Sequence, residues 1–277
     1  MTQANAPRWR DHWPPLLVLL ACLLAMGGIA KLAFERDRAE LQAQVQTELR
    51  ALRLRLGAMA ESSFDVTASL ETLIQVQGDL DAKAFDAAAT HLLRDQPQLR
   101  NVVAAPGDVV RHVHPFKGNE AVLGLDYRNV PLQWAQVERA RALRAPIVFA
   151  PVRLVQGGMA VVQRRPVFLS APGQPDRYWG TLAAVANLDP FIARAGLGET
   201  KLRLALYERL QDGRPGERIW GDAELLAQRH AREELRLTGA TWTLIGAPAQ
   251  GWGWVWRGSD PWLWIGSLVS GLIVAMS

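Results

Sequence analysis

Residues 147–168 read IVFAPVRLVQGGMAVVQRRPVF, two apolar runs joined at a pair of glycines. Val, Ile and Phe favour strands, and the glycine pair at 157–158 is typical of a two-residue hairpin turn. Such a turn predicts that Val152 lies opposite Gln163. Because side chains alternate along a strand, one face of the hairpin is then apolar with a single amide. This predicted face consists of Val148, Ala150, Val152, Leu154, Met159, Val161 and Gln163.

A largely apolar face with one polar group is typical of a small-molecule pocket. The alternative is that the face only packs on an amphipathic helix, which we predict over residues 131–144. The residues alone leave both interpretations open at each of these positions.

The neighbouring sequence predicts a mixed α+β fold. Short apolar runs broken by turn signals follow Pro97 and predict further strands. These strands cover residues 101–105, 108–114, 178–188, 202–207, 218–221 and 233–245. Before Pro97, residues 34–56 contain no Gly or Pro and predict a long helix, with helical patterns again over 64–77 and 81–94.

The long predicted helix carries one apolar stripe at heptad-like spacing. The stripe is Leu41, Val45, Leu49, Leu52, Leu56 and Met59. A stripe of this kind either docks on its own domain or pairs with a second copy of the chain, and both remain open. Our dimer prediction uses the four positions from Val45 to Leu56 as the seam of a parallel homodimer.

Two apolar segments flank this region and predict a membrane protein. Residues 14–30 and 261–277 contain no charge, and about twenty helical residues cross a bilayer. We predict transmembrane helices at 14–34 and 261–277, the second apparently cut short, with residues 1–13 cytoplasmic. A signal peptide or a lipidated Cys22 is the alternative for the first segment. The tryptophans Trp252, Trp254, Trp256, Trp262 and Trp264 are typical of an interfacial belt.

Composition argues against several other classes of protein. The 31 Lys and Arg exceed the 27 Asp and Glu by only four and are scattered, so we predict no nucleic-acid partner. One cysteine cannot form an intramolecular disulfide or a multi-thiolate zinc site. His112 and His114 share a strand face, but no third ligand has recognisable spacing, so we predict no metal. We find no catalytic motif and predict no enzyme activity and no cofactor for this region.

Several short blocks occur in a fixed order along the middle of the chain. They are GNEAVLGLDY at 118–127, APIVFAPVRL at 145–154, QGG at 156–158, RPVF at 165–168, YWG at 178–180, NLD at 187–189 and GW at 251–252. In this order and spacing the chain resembles the CHASE family over roughly residues 35–257. CHASE domains are extracytoplasmic sensory domains of membrane histidine kinases, diguanylate cyclases and phosphodiesterases.

The resemblance implies a long stalk helix followed by two PAS-like α/β subdomains. Residues 35–96 would form the stalk and accessory helices, 97–190 a membrane-distal ligand-binding subdomain and 191–257 a membrane-proximal one. Asp126 matches the aspartate that binds the adenine moiety in the plant cytokinin receptors, and Val148 matches a residue that lines their pocket. From the residues alone, Asp126 can equally cap a turn or the following helix.

We therefore predict a two-pass protein of the bacterial inner membrane whose periplasmic domain binds an unidentified small molecule. The bound state would pass through the bilayer to a kinase or cyclic-di-GMP enzyme encoded beyond residue 277. The alternatives are a ligand-free envelope scaffold or assembly protein, and a membrane-tethered hydrolase.

Overall fold

The computed structural model describes residues 13–154, 157–170 and 173–252. Val45–Ala249 form one compact unit, and the described residues that flank it belong to a second one. Among the described residues, no helix combines the length and apolar character that a membrane crossing requires. The predicted segment 14–34 lies in the first helix, whereas the segment 261–277 and the predicted belt beyond Trp252 lie outside the described residues.

The described part of the chain begins with one long helix, which joins the segments that the sequence predicts separately at 14–34, 34–56 and 64–77. Helix α1 spans Trp13–Gln77, and α2 spans Ala82–Leu93. The carboxylate of Asp81 caps α2 by accepting a hydrogen bond from the Ala84 backbone N–H at 2.8 Å.

The first sheet has five antiparallel strands in the order β2-β1-β5-β4-β3. Its strands are β1 Leu99–Pro106, β2 His112–His114, β3 Ile147–Arg153, β4 Met159–Leu169 and β5 Arg177–Asn187. Between β2 and β3 lie the 3₁₀ helices Glu120–Val122 and Tyr127–Asn129 and helix α3, Pro131–Leu143. Pro131 begins α3, at a position where a backbone N–H would have no hydrogen-bond partner within the helix, so the missing N–H of proline costs nothing there.

Helix α4, Leu188–Arg194, leads to a second sheet of four antiparallel strands in the order β7-β6-β9-β8. Its strands are β6 Leu202–Arg209, β7 Pro215–Gly221, β8 Ala231–Leu237 and β9 Ala240–Pro248. The single strand predicted over 233–245 is wrong, because Gly239 adopts a positive φ of 72° and reverses the chain.

The apolar stripe of α1 packs inside its own unit. Val45, Leu49, Leu52 and Leu56 are each at most 3% exposed, and the last three belong to the main core cluster. A Cβ on Gly57 would lie 3.1 Å from Leu235 of β8, so the helix and the second sheet approach closely there. The prediction that these four residues form a dimer seam is therefore wrong, since the second sheet already covers them.

Candidate functional site

The first sheet buries both of its faces. One face joins residues of α1 such as Phe64 and Ile74 in the main core cluster. The opposite face forms a separate cluster with residues of α3 and of the 3₁₀ segments, including Val137 and Tyr127. We call these the stalk face and the outer face.

The β3–β4 hairpin divides the predicted binding face between these two sides. Val152 lies opposite Ala160, and Gln163 lies opposite Val148, so the predicted pairing of Val152 with Gln163 is wrong. The register shifts between Phe149 and Val152, where β3 contains one extra residue. Since side chains alternate along a strand, that extra residue moves the rest of β3 to the other face.

Val148, Ala150, Met159, Val161 and Gln163 consequently pack on the stalk face. Val152 and Leu154 pack on the outer face. Of the seven predicted hairpin residues, five thus lie on the stalk face and two on the outer face.

A small cavity of about 40 Å³ lies behind the outer face, and we call it the outer cavity. Its described walls are Asn101, Val103, Val122, Leu125, Tyr127, Gln133, Val152, Leu154, Val162, Arg164, Ala183 and Val185. They come from β1, β3, β4, β5, α3 and the 3₁₀ segments, so a molecule bound there would contact most elements of this half of the unit. Most of the walls are apolar, with a few polar groups among them, which is the usual composition of a ligand site.

Arg164 of β4 is the charged group of the outer cavity. The residue is 3% exposed. Its Nε donates to Gln136 Oε1 and its Nη2 to Gln133 Oε1, both at 3.0 Å, and the guanidinium lies 4.5 Å from the Tyr127 ring centroid. The remaining nitrogen, Nη1, is buried and has no hydrogen-bond partner within the described part of the chain.

Asn101 of β1 provides a second polar group in the same cavity. It is 1% exposed, and its Nδ2 donates to Asn119 Oδ1 at 2.6 Å. Its Oδ1 is buried and accepts no hydrogen bond from any described residue. Buried polar atoms nearly always have a partner, so two orphaned atoms on residues that line one cavity are characteristic of a site that a ligand or water completes.

Asp126 lies at the edge of this region and is not among the described residues that line the outer cavity. Its carboxylate caps the segment Tyr127–Asn129 by accepting from the Arg128 backbone N–H. The same carboxylate accepts from Arg128 Nε and Nη2, each at 2.8 Å. This guanidinium contact holds the pKa of Asp126 below its usual value.

A second and larger space of about 300 Å³ lies between α1 and the two sheets, and we call it the inter-sheet groove. The predicted residues Val148 and Gln163 line it. The Gln163 amide oxygen is already occupied, because it accepts a hydrogen bond from the Thr67 hydroxyl of α1. Arg165 donates to Thr67 at 2.9 Å and pairs with Glu71 at 2.9 Å, so the polar groups here join the sheet to α1.

The two strand histidines do not form a metal site with other described groups. His114 Nδ1 lies 2.6 Å from Asp86 of α2, and the His112 ring lies 5.4 Å from that of Phe85. Within the ranges that the structure describes, no three His, Cys, Asp or Glu side chains are grouped so as to hold a metal ion.

Sequence reasoning overlooked Arg164 and Asn101. Each carried a usable signal, because side chains two residues apart in a strand lie on the same face, so a polar residue at this distance from a core residue also points toward the core. Arg164 follows Val162 at this spacing, and Asn101 precedes Val103.

The comparisons with known proteins place this fold among extracellular sensory domains. An extracellular ligand-binding receptor from Desulfohalobium retbaense superposes with a TM-score of 0.58 at 16% identity, covering 73% of this chain and 40% of that one. The extracellular domain of a protein described as a histidine kinase, rpHK1S-Z16, gives 0.53 at 13% identity over 75% and 94%. The sensory domain of the Campylobacter jejuni chemoreceptor Tlp3 gives 0.52 at 12% identity over 78% and 97%.

At these identities the solved structures establish similarity of fold alone, and this chain spans well under half of the first receptor. No curated protein matches the sequence. The sequence-family comparison is more specific, because the model described as the CHASE domain matches residues 28–219 of the 277. With more than half of its length matched, the chain belongs to the CHASE family of extracellular sensory domains.

Proposed function

We propose that this chain is a periplasmic sensor whose outer cavity binds a small molecule. The observation that carries the proposal is that two residues lining one cavity, Asn101 and Arg164, each have a buried polar atom without a partner among the described residues, Oδ1 and Nη1 respectively. An unpaired buried polar group costs about 1–3 kcal/mol. A ligand that supplies the missing partners would recover that free energy and stabilise the bound form.

The packing of the first sheet suggests how binding would be transmitted. The sheet has the outer cavity on one side and α1 on the other. A shift of β4 would therefore change its contacts with the cavity and with α1 together. Gln163 and Arg165, on the stalk side of β4, bond to Thr67 of α1, whereas Arg164 between them faces the cavity. A ligand that favours one position of β4 would bias the position of α1.

We also propose that the chain is attached to a membrane, and the support for this part of the proposal comes from the sequence. The uncharged runs at 14–30 and 261–277 favour a two-pass protein with the central domain outside the cytoplasm. The output would be a kinase or a cyclic-di-GMP enzyme beyond residue 277. A homodimer is compatible with this arrangement, but its interface would use a face of α1 other than the buried stripe.

A thermal-shift screen of the 277-residue chain against neutral, anionic and cationic small molecules tests the binding. A matched pair of variants then locates the site. Ala183→Val adds two methyl groups to the outer cavity, so we expect it to abolish the shift that the best compound produces. Ala184→Val adds the same volume to the stalk face, where the core is full, so it should lower stability yet preserve the shift.

Two results would contradict the proposed site. One is an unchanged ligand shift in a folded Ala183→Val protein. The other is loss of the shift in Val148→Phe, which obstructs the inter-sheet groove, together with its retention in Ala183→Val.

A further inference from the structure

We propose that the outer cavity takes a small carboxylate that also carries a hydrogen-bond donor, such as a hydroxy- or amino-carboxylate. The inference rests on the proposed function, since it names the chemistry of the molecule bound at that site. It begins with the charge of Arg164.

Arg164 is a buried cation with neutral neighbours. A guanidinium stays protonated in proteins, and a buried charge is costly unless an opposite charge or a full set of hydrogen bonds compensates it. Its hydrogen-bond partners, Gln133 and Gln136, are uncharged amides, and no described carboxylate lies within 4.0 Å of it. The adjacent Arg165 pairs with Glu71 at 2.9 Å, so β4 provides one arginine with a counterion and leaves the other without.

The orientation of Arg164 favours an acceptor inside the cavity. Two of its nitrogens are fixed by the glutamines and its plane lies over the Tyr127 ring, so the guanidinium is held in position. The third nitrogen, Nη1, is buried and has no partner among the described residues, so a ligand group that reaches it would complete the hydrogen bonding of the guanidinium. A carboxylate satisfies both the charge and the N–H donors of this nitrogen.

Asn101 is the reason that the ligand should also carry a hydrogen-bond donor. Its Nδ2 is used by Asn119, so the orphaned Oδ1 can only accept. Asn101 lies opposite Val185 of β5, and Arg164 lies opposite Ala183 of the same strand. With neighbouring strands about 4.8 Å apart, the Cα atoms of Asn101 and Arg164 are about 12 Å apart. The side-chain polar groups are closer together than this, because the arginine side chain is long.

The size of the cavity limits the ligand. A water needs about 10–15 Å³ of such volume, so 40 Å³ accommodates about three to four non-hydrogen atoms at the spacing of separate waters. Glycolate and glycine each have five non-hydrogen atoms, which are bonded and therefore closer together than separate waters. Both carry a carboxylate and offer a hydroxyl or an ammonium group to Asn101 Oδ1. The apolar walls at Val103, Val162 and Ala183 suit the carbon atoms better than they would suit sulfate or phosphate.

Isothermal titration of the 277-residue chain with glycolate, glycine, their neutral analogue glycolamide, ethanolamine and sulfate tests this inference. We expect glycolate or glycine to bind at least tenfold more tightly than glycolamide, and the preferred donor to identify the ligand as a hydroxy or an amino acid. Arg164→Gln should weaken that binding about ten- to a hundredfold, because a hydrogen bond to a charged group is lost. Arg203→Gln is the matched control, because it makes the same change at a salt-bridged arginine of the second sheet and should leave the affinity within about twofold of the parent.

Equal affinity for glycolamide and glycolate, tighter binding of sulfate, or no binding of either carboxylate would overturn the inference. So would an unchanged affinity in Arg164→Gln. If that variant does not fold, Asn101→Ala provides the second test and should weaken glycolate binding at least threefold. An unchanged affinity in Asn101→Ala would count against the inference. If ethanolamine or glycolamide binds instead and Ala183→Val abolishes its binding, the cavity is correct and only the ligand class is wrong.

Discussion

Replacing Leu56 by alanine tests whether the apolar stripe of α1 belongs to the core of a single chain. Leu56 is 0% exposed inside the main core cluster, whereas Leu54, two residues earlier on the same helix, is 59% exposed. Loss of a fully buried leucine side chain typically costs about 2–5 kcal/mol, including the cavity left behind. For a unit of about 200 residues this corresponds to a fall of about 4–20 °C in unfolding temperature. Leu54→Ala should change the free energy of unfolding by less than about 0.5 kcal/mol.

Chemical unfolding of both variants at two protein concentrations, a hundredfold apart, separates intrachain packing from a dimer seam. If Leu56 packs in its own chain, its loss costs the same free energy at both concentrations. If the stripe joined two chains, dilution would remove up to about 2.7 kcal/mol of stability from the parent. A concentration-dependent midpoint in the parent that Leu56→Ala abolishes would refute our assignment of the stripe to the core.

The Trp179 indole N–H donates to the Asp79 carboxylate at 2.9 Å and lowers the pKa of that carboxyl from 3.8. The ionised carboxylate therefore stabilises the fold fully above about pH 4, and this stabilisation is lost as pH falls through the lower pKa of the folded state. Asp79→Asn should therefore flatten the decline of unfolding temperature between pH 5 and pH 2 measured by circular dichroism, and an unchanged decline would contradict this role. Asp126→Ala should lower thermal stability while keeping the affinity for the best screened compound within about twofold, because the carboxylate caps a 3₁₀ turn; a tenfold loss would restore the ligand role predicted from the sequence. Compartment reporters fused at Ala4 and at Ser170 should give opposite readouts, and the same readout at both would refute the proposed topology.

Much of the fold could be predicted because periodic patterns extend over long segments. The pattern without Gly or Pro predicted the part of α1 over 34–56, and the helix predicted over 81–94 matches α2. The separation of β8 from β9 was missed, since only a two-residue turn at Gly239 interrupts an otherwise strand-like sequence.

The candidate site was less predictable because it depends on the register of the β3–β4 hairpin. Pairing from the glycine turn assumed an uninterrupted ladder, and one extra residue between Phe149 and Val152 transferred Val152 and Leu154 to the outer face. The sequence also cannot indicate that Arg164 has no counterion among the described residues, because its hydrogen-bond partners come from α3, about thirty residues earlier in the chain.

Hydrogen–deuterium exchange of the 277-residue chain, with and without the compound that stabilises it most in the screen, tests the central claim most directly. Binding in the outer cavity predicts slower exchange in Glu120–Val122, Tyr127–Asn129 and α3, with β6 to β9 unchanged. Protection confined to the second sheet, or to residues 57–65 beside the inter-sheet groove, would contradict it.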